Sequence, residues 1–119
     1  MRKTLIVLII AFAMFSACAD NSPAVQYAGI INHVIAELKK NSDKPQIAGQ
    51  NIAQYLENNK DKISQLQTSL SGLTNDKMYE YNNTIIIPAT ELLNLIKGNQ
   101  NYGQDQNIVN ALFLLKIIE

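Results

Sequence analysis

Tryptophan is absent from this chain, and histidine and cysteine each occur once, as His33 and Cys18. A single cysteine excludes an intrachain disulfide framework and a cysteine-based metal cluster. With one His and one Cys, the three or four protein ligands of a zinc site cannot be drawn from those residue types. Charge of one sign is missing too: ten Lys and Arg face ten Asp and Glu, for a formal net charge of zero. No global field draws the chain toward nucleic acid or an acidic substrate. Lys60 and Lys62 alternate with acids and form no basic stripe with interleaved aromatics, which leaves nucleic-acid binding unsupported. The phosphate-binding glycine loops and the G-x-S-x-G nucleophile elbow are also absent. The 119 residues suffice for one domain.

Long apolar runs are rare as well, with one exception. After the basic "MRK" comes "TLIVLIIAFAMF", then small residues in "SACA", then the polar "DNSP". This is the three-part layout of a secretory signal peptide. The run falls short of the roughly 20 apolar residues that a spanning helix needs. It ends in Phe15-Ser16-Ala17-Cys18, which resembles the lipobox of bacterial lipoproteins, although Phe15 stands where leucine is usual. The resemblance covers only the first eighteen or so residues. It implies that Cys18 carries an S-diacylglycerol group, that the chain is cut before Cys18, and that the freed amine is N-acylated.

The chemistry suits cysteine because sulfur is the strongest side-chain nucleophile near neutral pH. Each buried methylene contributes about 0.8 kcal/mol, so two or three acyl chains on one residue make attachment effectively permanent. By the same resemblance, Ala19 rather than Asp directly after the cysteine favours the outer membrane over the inner. One alternative stays open: Ala17-Cys18-Ala19 is itself an A-x-A cleavage signature. Cutting there starts the mature chain at Asp20 and releases a periplasmic or secreted protein. The expected organisation is a signal peptide over 1–17, a short polar tether over 18–22, and a helical domain over 23–119.

Helical punctuation runs through that domain. Ser22-Pro23 is a helix start, and Ala24, Ala28, Ile31, Val34 or Ile35, and Leu38 recur at helical spacing. The helix should stop near "KKNSDKP". Asp43 with Gln46 reads as a capping box for a second helix. That helix's seam, Ile52, Leu56, Ile63, Leu66 and Leu70, has the four-then-three period of bundle packing, with Asn59 in the missing step. Gly49 and Pro45 extend the seam backwards, and Ser71-Gly72 closes the helix.

Thr74 caps a third helix, with Leu73 and Met78 set for a hydrophobic staple. Its apolar spacing continues unbroken across Pro88, which predicts one kinked helix stopping at Gly98. "GNQNYGQDQN" reads as a polar loop. "IVNALFLLKII" reads as the short helix that closes the core. The expected fold is therefore all-α, a small up-down antiparallel bundle of three to four helices.

Candidate chemistry is sparse. His33 and Glu37 share a helix face at a spacing that could supply two metal ligands, one short of a site; the expectation is a solvated pair and no metal or cofactor. Asp76 and Glu80 lie one turn apart on a face expected to be solvated. Tyr55 and Tyr81 are expected at core edges. Tyr102, in the polar loop, is the best candidate for contact with a protein partner, because tyrosine suits interfaces. The sequence thus points to a non-enzymatic, membrane-tethered helical module that binds another envelope protein. The alternative is a small-ligand carrier with a pocket near Pro88.

Overall fold

The computed structural model describes residues 22–72 and 75–118. Helix α1 spans Pro23–Lys40 and opens as its sequence dictates. Ser22 Oγ accepts a hydrogen bond from the Val25 amide at 3.2 Å, and Pro23 occupies the first turn, where a missing N–H costs nothing. The inward stripe is Ala24, Tyr27, Ile31, Val34 and Leu38, with Ala28, Ile30 and Ile35 beside it. Asn32, His33, Lys39 and Lys40 are exposed.

The seam expected to form one helix is divided in two. Helix α2 spans Pro45–Asn58 and helix α3 spans Lys60–Ser71. Asn59 separates them, with φ −114° and ψ 12°. Its side-chain amide donates to the Tyr55 carbonyl at 2.8 Å, while its own carbonyl accepts from Ile63 at 2.9 Å. An Asn side chain competes with the backbone for nearby carbonyls, which is why it ends helices rather than fills them. The interruption lasts one residue, and Ile52, Leu56, Ile63 and Leu66 all stay buried.

The Asp43–Gln46 capping box does not form. Lys44 is the N-cap of α2 and offers no side-chain bond. A turn in which the Lys44 amide donates to the Asn41 carbonyl at 2.9 Å leaves Asp43 one residue too early to cap.

Helix α4 spans Asn75–Lys97 and runs through Pro88 without a break. The expected Thr74 cap and the Leu73–Met78 staple lie outside the described residues. Pro88 is buried, with Leu92 and Ile96 following on the same inward side. Gly98 ends the helix, its amide donating to the Asn94 carbonyl at 2.9 Å.

The stretch expected to be a loop is instead largely helical. Helix α5 spans Gln100–Gln104, and helix α6 spans Gln106–Leu114. Asn99 caps the first by accepting from the Asn101 amide at 3.0 Å, and Asp105 caps the second by accepting from Ile108 at 3.1 Å. Two short side chains with cap chemistry order a segment that has no apolar period of its own.

Helix α6 closes with a Schellman turn. The Lys116 amide donates to Phe113 at 3.0 Å and the Ile117 amide to Leu112 at 2.9 Å. Lys116 stands at the left-handed position, φ 59°, where glycine is usual.

The described residues thus form an all-α globule of six helices, with no strand among them. Ile31, Leu38, Ile52, Leu92, Ile108 and Leu115 are the largest side chains closed off from solvent. Long-range contacts show which ends meet. Lys39 pairs with Glu91 at 2.9 Å, so the C-terminal parts of α1 and α4 lie together. Gln67 in α3 and the C-terminus of α6 both reach Tyr27, near the start of α1.

Candidate functional site

Tyr102, expected as an exposed contact in a loop, is a core residue in α5, only 3% exposed. Its hydroxyl donates to the Leu38 carbonyl at 2.7 Å. That carbonyl belongs to the last turn of α1, where intrahelical donors run out. The ring therefore seals the C-terminus of another helix. Burial raises the phenol pKa above its ordinary value; Asn99 opposes this, while the Asp43 carboxylate adds to it.

Tyr27 performs the same service at the opposite end. Its hydroxyl donates to the Leu115 carbonyl at the C-terminus of α6 and accepts from Gln67 Nε2 at 3.0 Å. Gln67 Nε2 also donates to the Leu114 carbonyl at 2.9 Å. One buried phenol and one amide thus join α1, α3 and α6. Burial raises the Tyr27 pKa, partly offset by the bond from Gln67. Sequence reasoning passed over both residues, since neither stands out by spacing; only the three-dimensional meeting of helix ends gives them a role.

His33 and Glu37 turn to different neighbours. The His33 ring stacks on Tyr55, with centroids 3.7 Å apart and planes 9° from parallel. Glu37 Oε1 accepts from Asn41 Nδ2 and Asn51 Nδ2, each at 2.7 Å, and so ties the end of α1 to α2. Tyr55 is half-buried at the core edge, and burial raises its pKa. Among the described residues, no group of three His, Cys, Asp or Glu side chains is placed to hold a metal.

A cleft of about 520 Å³ lies between the start of α2 and the α5–α6 junction. Asp43, Lys44, Gln46, Asn101, Gln104 and Asp105 supply its polar groups. They offer charge and amides for hydrogen bonding, with no nucleophile paired to a base. A second opening of about 350 Å³ lies at the C-terminal ends of α1 and α4, against Tyr102.

The remaining features lie on the outer surface. Ile86 and Ile87 in α4 are 58% and 71% exposed. Three consecutive isoleucines on a helix cannot share one face, so the run at 85–87 already signalled that some must turn outward. In the closing helix, Ile108, Ala111 and Leu112 enter the core as expected, whereas Phe113 and Leu114 are half exposed.

Cys18, where the sequence places the lipid, lies outside the described residues, as do the side chains of Asp76, Tyr79, Glu80 and Tyr81. Among the described residues, no helix is long and apolar enough to cross a membrane. Comparison with known proteins finds no matching family model, no matching curated protein and no matching solved structure.

Proposed function

We propose that this chain is a lipid-tethered protein of the bacterial cell envelope, anchored through Cys18, whose helical domain is a non-catalytic interaction module. The observation that carries the reading is the order of signals on one short stretch. A basic start, an uninterrupted apolar run and "FSAC" are followed within five residues by helix α1, at Pro23. The resemblance to a lipobox favours the outer membrane as the place of attachment.

The domain's chemistry supports a binding role over catalysis. Its lone histidine is engaged in a ring stack, and Glu37 is engaged by two Asn side chains. Among the described residues, every buried polar side-chain atom has a partner. Pro88, near which a carrier pocket was expected, is buried, and the described clefts open elsewhere. Apolar side chains exposed on the outside, Ile86 and Ile87 above all, suit contact with another envelope protein. The finer reading of the fold is an up-down bundle of four legs: α1, α2 with α3, α4, and α6. The shared ends of these legs support it.

The deciding measurement is the intact mass of the mature protein isolated from the membranes of a bacterial host. The expected species starts at Cys18 and is heavier by a diacylglyceryl group, with or without a further acyl chain. An unmodified chain starting at Asp20 would sink the reading and leave a released carrier protein as the better one. Crosslinking in intact cells then identifies the envelope partner.

A further inference from the structure

The end of the fold nearest Cys18 carries apolar side chains that the core does not use. Ser22 caps α1, and the chain from Cys18 to Ser22 can extend no more than about 14 Å. A lipid on Cys18 therefore keeps this end close to the headgroups, whatever path the tether takes. The C-terminus of α6 is held at the same end, by the bonds from Tyr27 to Leu115 and from Gln67 to Leu114. Here Phe113 is 50% exposed and Leu114 43%, and Val25 in the first turn of α1 is 43% exposed. Lys116, also exposed, comes two residues after Leu114, beyond the buried Leu115.

We infer that this end of the bundle, where Phe113, Leu114 and Val25 are half exposed and Lys116 is exposed, lies against the surface of the lipid bilayer. The inference rests on the lipid attachment proposed above. Apolar side chains next to a cation fit an interface, where ring and branched chains enter the headgroup boundary and the ammonium stays among the phosphates. Three half-exposed side chains would hold a free protein only weakly. A covalent tether changes this, because it turns a second contact into an intramolecular one at an effective concentration in the range of ~1 mM. The lipid holds the protein at the membrane; the patch sets which way it faces.

Ile86 and Ile87 are more exposed yet do not qualify. Ile87 lies one turn before Glu91, whose partner Lys39 is in the last turn of α1. That sets the pair about 20 Å along α1 from Ser22. In this orientation they face away from the bilayer and stay open to an envelope protein.

The absence of tryptophan provides the test. Phe113→Trp, Val25→Trp and Ile87→Trp each place a single indole in the full-length protein. Each variant is made with its signal segment in a bacterium, checked for lipid by intact mass and for helicity by circular dichroism. Each is then reconstituted into phosphatidylcholine–phosphatidylglycerol vesicles with brominated acyl chains. The indoles at 113 and 25 are expected to shift blue and to lose about half their emission to quenching, as shallow insertion of roughly 5–10 Å allows. The indole at 87 is expected to stay unquenched.

A confirmed lipid with no quenching at 113 or 25 overturns this orientation and leaves the lipoprotein reading standing. Shielding of the 113 indole from iodide in native membranes, without quenching by brominated lipid, assigns the face to a protein partner and overturns it as well. A chain without lipid removes the tether and overturns both readings together.

Discussion

The Tyr102 hydroxyl reaches across 64 residues of sequence to bond the Leu38 carbonyl at 2.7 Å, closing the C-terminus of α1 with a side chain from α5. Tyr102→Phe keeps the ring and removes only that bond, leaving a buried carbonyl without its donor. Such a loss costs about 1–2 kcal/mol. Urea denaturation followed by circular dichroism should show a lower midpoint with an unchanged slope. An unchanged midpoint would mean that water reaches Leu38 and that the seal is not one.

Alkaline pH should unfold the protein through its buried phenols. Burial raises the pKa of both Tyr27 and Tyr102 above the ordinary value. The unfolded chain therefore ionises first, at about pH 10. The stability these groups contribute is complete below that pH and falls as pH rises through the higher folded values. Thermal melts between about pH 8 and 11 should stay level at first and then decline. Tyr27→Phe and Tyr102→Phe should each make the decline shallower. A melting temperature that drops equally in wild type and both variants would place the alkaline sensitivity elsewhere.

Gly49→Ala reverses the usual sign of a helical glycine replacement. Alanine in a helix is ordinarily better than glycine by about 1 kcal/mol. Here a Cβ would lie 2.9 Å from Asp105 Cγ, and closer still to the carboxylate oxygen that caps α6. Relieving the clash means pushing Asp105 off the Ile108 amide or separating α2 from α6. The expected net cost is about 1–3 kcal/mol. Stabilisation by Gly49→Ala in chemical denaturation would show that the Asp105 cap moves freely.

Lys116→Gly should stabilise. A left-handed conformation is disfavoured for a residue with a Cβ and easy for glycine. Against that gain stand the greater freedom of glycine in the unfolded chain and the loss of a cation near a helix C-terminus. The net expectation is a gain of up to about 1 kcal/mol, read as a higher melting temperature. A lower one would mean that the Lys116 charge matters more than its backbone.

Much of the fold was legible because its signals are local. Ser22-Pro23 announced α1, and the spacing of Ile52, Leu56, Ile63 and Leu66 announced the buried seam. Gly98 marked the end of α4, and the unbroken spacing across Pro88 correctly kept that helix whole. What failed depended on competition between neighbours. The seam read as one helix with Asn59 in its missing step, yet the Asn59 amide takes the Tyr55 carbonyl and splits the helix. Asp43 had cap chemistry but stood one residue from the place where it could act.

The place of Tyr102 was illegible for a different reason. Tyr102 sits among Asn, Gln and Gly, a composition that signals a loop. Asn99 and Asp105 carry cap chemistry, but without an apolar period nothing in the sequence marks them as helix starts. Its burial depends on the Leu38 carbonyl, which no sequence window containing Tyr102 includes. Likewise, Tyr27 and Gln67 acquire their roles only where three helix ends meet. The reading proposed for the single cysteine is the reverse case, since it rests entirely on that residue's immediate neighbours.

Tyr27 and Leu115 are 88 residues apart, and their bond joins α1 to the end of α6. A closing contact that distant cannot form while the polypeptide is still emerging from its N-terminal end. Until the final turn of α6 appears, the Tyr27 hydroxyl lacks the carbonyl it donates to, and Leu115 is missing from the core. Completion of the core thus waits for the last residues of α6. A chain of that kind can be threaded through a narrow passage with no finished structure to take apart.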